Sequence, residues 1–181
     1  DKFLHHIDSA LDTILNSYQL PLFVLGTERI LGHFKKLTKH EGAISKYIHG
    51  NYEEATFPQL KEMLEPHFAE LKLKKQIAIL HRLEESAGKK ALAVGITEVW
   101  REAMNHKGQL LVVEKNYMVA AQHGSQEDVI YKVAEPATNF SYIKDAVDEV
   151  IEIVLENGGD VEFIDENFLG EYQQIALVKY Y

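Results

Sequence analysis

Two groups of charged side chains carry whatever chemistry this sequence holds. The first, Arg29, Lys35, Lys36, Lys39 and Lys46, is interleaved with His33, His40, Tyr47, His49 and Tyr52. Cations among aromatic rings are the composition of an RNA-contacting segment, in which rings stack on bases and Lys or Arg pair with phosphates. The same composition also suits an ordinary exposed loop. The second group, Asp145, Asp148, Glu149, Glu152 and Glu156, falls on the polar side of a helical pattern. Carboxylates do acid and base work only where burial or proximity separates their pKa values. This group therefore reads as a solvated helix face or as an acidic docking surface that meets a basic partner.

Other chemistries lack their minimal geometry. Nine histidines are present, but none forms an HExxH pair and there is no cysteine to complete a thiolate site. His5 and His6 are adjacent and so point about 100° apart on a helix. No GxSxG, Walker loop or GxGxxG occurs, which removes the usual hydrolase and nucleotide-binding signatures. Gly158 and Gly159 precede a strand pattern rather than a helix, so they present no helix N-terminus to a phosphate and read as a helix stop with a tight turn. No catalytic residue, metal ligand or cofactor is assigned.

The elements that position these groups are those of a globular protein. Apolar residues make up 46% of the 181 positions and charged residues 26%, enough to bury a core in one domain or two small ones. No apolar run approaches the roughly 20 residues that span a bilayer, and no membrane partner is expected. Absence of cysteine is compatible with a reducing compartment, and the cytoplasm is the default. A formal net charge of −9 argues against general nucleic-acid binding, DNA included. The charge is unevenly spread: residues 29–107 carry fourteen bases and ten acids, whereas residues 108–181 carry four bases and fourteen acids. The opening on Asp1, already within helical periodicity, suggests a segment of a larger protein.

Leu4, Ile7, Leu11 and Ile14 share a helical stripe, residues 22–25 form a doubly buried strand between Pro21 and Gly26, and Thr27 is placed to cap a helix bearing Ile30, Leu31, Phe34 and Leu37. Periodicity is lost over residues 39–56, which read as irregular and as a linker. A helical pattern follows over residues 57–87, expected in two pieces because Pro66 interrupts it, with Gly88 as its C-terminal cap. After residues 91–94 come a helix over 96–106 with Trp100 in the core, a strand over 109–114, short strands near 117–121 and 129–133 around a turn at 123–127, a helix over 142–157, and strands over 160–164 and 173–180. Such alternation predicts a sheet covered by helices.

The stretch AVGITEVWREAMNHKGQLLVVEKN resembles the opening of the last domain of the archaeo-eukaryotic peptide-chain release factors and of Pelota. NGGDVEFIDENFLGEYQQIALVKYY is similar to that family's ending, and LPLFVLGTERILGHFKKLT with IHGNYEE resembles the bacterial relatives of these factors. The resemblance implies an α/β fold: residues 1–56 as the trailing part of an RNase H-like middle domain, and residues 57–181 as an α/β/α sandwich shared with the kink-turn-binding ribosomal proteins. It implies termination or rescue at the ribosome, with the ribosome, tRNA and a translational GTPase as partners. The Gly-Gly-Gln triplet of peptide-releasing members is absent here, so no hydrolytic role transfers to any residue. The visible portion is expected to be a non-catalytic docking scaffold. The alternatives are an RNA-binding module or an α/β interaction domain unrelated to translation.

Overall fold

A computed structural model of the chain describes residues 2–134 and 141–180. They group into two compact units, Asp1–Leu73 and Lys74–Tyr181, each taken in turn.

The first unit runs through α1 (Lys2–Tyr18), β1 (Leu22–Gly26), α2 (Glu28–Leu37) and β2 (Ile44–His49) into the start of α3 (Phe57–Gly88). β1 and β2 pair in parallel, and α2 is the crossover that such a pairing requires. The unbroken apolar run of β1 suits a strand flanked on both faces; Phe23 meets the edge of Phe68 on α3 with ring centroids 5.0 Å apart. Leu31 and Phe34, three apart on α2, are the buried apolar side chains among those described in this unit. α1 is tied to the end of α2 by a buried carboxylate: Asp8 accepts from the Thr38 hydroxyl at 2.6 Å and from the Lys39 amide at 3.3 Å. His40 Nε2 adds a contact at 3.1 Å to the Asp8 carbonyl and one at 3.2 Å to Asp12.

Residues 39–56 are therefore not a featureless linker. The register between β1 and β2 slips by one at Leu22 and Phe23, so Ser45 is bulged and the alternation that marks a strand is interrupted. α3 also departs from expectation, since it runs as one 32-residue helix through Pro66. Proline removes the hydrogen bond to the Glu62 carbonyl, but Glu62 and Pro66 are both exposed, so water can satisfy that oxygen. The division between the units falls inside this helix, beyond Thr56.

In the second unit β3 (Leu92–Val94), α4 (Ile96–Met104), β4 (Gly108–Glu114), α5 (Ala146–Glu156), β8 (Asp160–Ile164) and β9 (Ile175–Lys179) build a four-stranded sheet in the order β3-β9-β4-β8. β4 and β8 are parallel, while β9 runs antiparallel between β3 and β4. Alternate residues of β4 face opposite cores. Leu111 and Val113 join Ile96, Val99 and Trp100 of α4 and Val150 of α5, whereas Leu110 and Val112 join Ile79 and Leu83 of α3. The result is an α/β/α sandwich whose central strand reads as continuously apolar because both its faces are covered.

Between β4 and α5 the chain forms a small antiparallel sheet of β5 (Ala121–His123), β6 (Ile130–Lys132) and β7 (Tyr142–Ile143), in the order β6-β5-β7. The expected early strand thus lies a few residues later. The last long helix begins at Ala146 rather than Tyr142, because Tyr142 and Ile143 pair with β5. The small sheet is anchored on α4: Trp100 donates its indole N–H to the Glu127 carbonyl at 3.0 Å and meets the His123 ring edge-on.

The α-helices described in this unit end in the same way. Amides of Ala91, Lys107 and Gly159 reach back to the carbonyls of Ser86, Glu102 and Val154, and the residue before each is left-handed: Lys90 (φ 59), His106 (φ 57) and Gly158 (φ 78). The left-handed cap of α3 is thus Lys90, not the expected Gly88. Gly159 is fixed for a different reason, since a Cβ there would lie 2.6 Å from the Gly108 carbonyl oxygen.

Candidate functional site

The five cations expected to contact RNA do not act as one group. On α2, Arg29 and Lys36 lie seven apart, with His33 between them at the four-residue step, so the three share the exposed side opposite Leu31 and Phe34. Lys35 turns instead toward β2 and stands 5.4 Å from the centre of the Tyr47 ring. Tyr47 in turn donates its hydroxyl to Glu41 at 2.5 Å. Burial first, and then the hydrogen bond and charge of Glu41, push that phenol well above its ordinary value of 10.0. Lys46 is held by Glu70 at 3.5 Å and by His67 Nδ1 at 3.2 Å, both on α3. Lys39 is exposed, while its backbone amide is spent on Asp8.

The acidic group divides as well. Asp145 is the N-cap of α5 and is occupied: one carboxylate oxygen accepts from the Val147 amide at 3.0 Å and from the Val119 amide at 3.2 Å. It also bears on Tyr117, whose phenol is raised mainly by burial and then by the Asp145 charge. Asp148, Glu149, Glu152 and Glu156 occupy the side of α5 turned away from Val147, Val150 and Val154. The side chains of these four are exposed and form no hydrogen bond or ion pair with any described residue. The half-exposed Leu155 sits among them. Such a face lacks the enclosure that acid and base catalysis needs, and suits long-range attraction of a basic surface.

Two buried polar residues of structural weight escaped the sequence reading. Glu114 ends β4 with its side chain buried, and its two oxygens accept from the Leu169 amide at 2.6 Å and the Gln174 side chain at 3.3 Å. Gln76 of α3, also buried, accepts from the Asp165 amide at 2.7 Å. The two together pin the segment between β8 and β9, whose Gln173 and Gln174 are both left-handed. The available signal was an acid closing the apolar run LLVV, which predicts a buried, partnered carboxylate. Among the described residues no group of three or more His, Asp or Glu side chains is arranged to hold a metal ion, and no helix is long and apolar enough to cross a membrane.

The fold is that of the Pelota group. The chain is similar to archaeal Pelota in a model of its ribosome-bound form with ABCE1, at 15% identity and a TM-score of 0.69, over 99% of this chain and 49% of that one. It is similar to S. cerevisiae Dom34, described as a translation termination-like factor that interacts with Hbs1, at 14% identity and a TM-score of 0.63, over 99% and 51% of the two chains. Archaeoglobus fulgidus Pelota matches at 16% identity and a TM-score of 0.51, over 96% and 53%. The chain thus spans about half the length of these proteins. No curated protein matches it. The bacterial archaeo-eukaryotic release factor family 3 matches over residues 1–107, more than half of the sequence, and the chain belongs to that family.

Proposed function

We propose that this chain serves translation termination or ribosome rescue in the cytoplasm as a docking scaffold without hydrolytic groups of its own. In this reading the α5 carboxylates receive the basic face of a protein partner, a translational GTPase or an ATPase. Residues 1–56 are then the trailing part of an RNase H-like middle domain, and residues 57–181 are the family's last domain. Family membership supports the process, and the fold likeness to ribosome-bound Pelota and to Dom34 supports this class of partner. The observation that carries the docking role is the unpartnered set Asp148, Glu149, Glu152 and Glu156 beside the half-exposed Leu155. The test is binding of the purified chain to a purified translational GTPase, alone and on ribosomes, with Asp148, Glu149 and Glu152 changed together to Lys. Affinity is expected to fall at least about tenfold and to weaken with salt; affinity indifferent to both ends the docking role.

A second reading, direct RNA contact through unit one, is favoured by the shared stripe of Arg29, His33 and Lys36. Changing Arg29 and Lys36 to Glu separates the two. Ribosome co-sedimentation lost at low salt with GTPase binding retained assigns these cations to RNA, and co-sedimentation unaffected by the change rejects that assignment.

A further inference from the structure

The acidic balance of the second unit conceals one place where cations dominate. A recess of about 140 Å3 at the C-terminal end of α3 is lined by Arg82, Glu85, Ser86, Lys89, Gln109 and Lys179, among others. Three elements converge on it. The last turns of α3 and the residue just beyond them bring Arg82, Ser86 and Lys89 to one side at the four- and seven-residue steps, the start of β4 brings Gln109, and the end of β9 brings Lys179. Their backbones are fixed by the Ala91 amide on the Ser86 carbonyl at 2.9 Å and the Lys179 amide on the Ala91 carbonyl at 2.8 Å.

Arg82, Lys89 and Lys179 form no ion pair with a described residue. By contrast Lys75, Lys107 and Lys115 of the same unit each have a carboxylate oxygen within 3.2 Å. Ser86 spends its proton on the Arg82 carbonyl at 2.7 Å, so the donors that remain for a guest are the three cations and the Gln109 amide. The acid lining the recess is Glu85. Complementing the helix dipole accounts for a cation or two at the end of α3. It does not account for Lys179, which comes from a strand, or for Arg82, which lies nearly two turns before the end. The carbonyls of Ser86 and Ala87 are in any case already taken by the Ala91 and Lys90 amides.

We propose that this recess binds a phosphate group, from a small phosphate compound or from an RNA backbone. The planar fork of one arginine with two lysine point charges is the combination that grips a tetrahedral oxyanion. This site is separate from the docking face of α5 and does not depend on it. The test is a titration of the whole chain with inorganic phosphate, pyrophosphate and a short unstructured RNA, read by NMR at backbone amides, against sodium chloride of equal ionic strength. Saturable shifts are expected at Lys89, Gln109 and Lys179. Arg82→Gln and Lys89→Gln should each weaken pyrophosphate binding about tenfold, and Glu85→Gln should tighten it. RNA that displaces pyrophosphate from the same amides identifies the backbone as the source, whereas pyrophosphate binding with RNA ineffective identifies a small compound. Shifts reproduced by chloride overturn the proposal. So do Arg82 and Lys89 variants that melt earlier yet answer phosphate unchanged, because the cations would then serve only the helix end.

Discussion

The two units handle apolar surface in opposite ways. In the sandwich both faces of the sheet are sealed, and Leu83, Trp100, Leu111, Ile164 and Leu177 are almost wholly withdrawn from water. In the first unit burial centres on Leu31 and Phe34, while Phe3, Tyr18, Leu20 and Phe57 are more than half exposed. The first unit therefore relies more on polar stitching, such as Asp8 with Thr38 and His40, than on packing. An apolar recess of about 300 Å3 between Phe3, Ile7, Val24 and Ile30 remains open beside that stitching.

Four expectations bear on this contrast. Trp100→Ala should have the largest effect, about 3–5 kcal/mol, because it opens a cavity in the sandwich and frees the Glu127 carbonyl; urea unfolding followed by far-UV circular dichroism measures it. A loss under about 1 kcal/mol would mean that the sandwich core is not sealed as described. Glu114→Ala should cost about 2–3 kcal/mol by leaving the Leu169 amide unpaired, with hydrogen exchange at Leu169 and Gln174 speeding up ahead of the sheet. Asp8→Ala should cost about 1–2 kcal/mol and loosen α1 selectively. Protection lost equally in β4 and β9 would show that the stitching is not local to the first unit.

The smallest effect concerns pH. The Tyr47 phenol is raised above its unfolded value of 10.0 by burial and by Glu41. It therefore contributes stability that is fully present below pH 10 and is lost as pH rises from there toward the folded value. Tyrosinate absorbance should show one fewer late-titrating residue in Tyr47→Phe, while Tyr117 and Tyr172, both raised mainly by burial, still titrate late; an unchanged alkaline titration in that variant would remove Glu41 from the account.

The legibility of the sequence follows the same contrast. The helix at Ile96–Met104 could be read to within two residues because the burial of Ile96, Val99, Trp100 and Ala103 imposes a period near 3.6, and residues 160–164 read as a strand from their sequence alternation although their burial does not alternate and Phe163 is half exposed. β2 could not, since a bulge at Ser45 and the exposed Ser45 and Lys46 erase its alternation. Pro66 was overrated as a breaker because an exposed helix side tolerates the missing bond. On α3 the buried face does not follow the apolar residues alone: Gln76 points inward to serve the Asp165 amide, and Ile77 is turned out. The charged groups are plain in the sequence, but partner choice is a tertiary matter. Nothing in their spacing distinguishes Lys46, occupied by Glu70, from Lys36, or Asp145, occupied as a cap, from Asp148.

The chain holds a single indole, at Trp100, buried under the small sheet and bonded to the β5–β6 connection. Its fluorescence is therefore a label-free gauge of one event. A blue emission maximum marks that flap as seated against α4, and a red shift at constant helicity would time its lifting in a stopped-flow trace, with no dye and no engineered reporter.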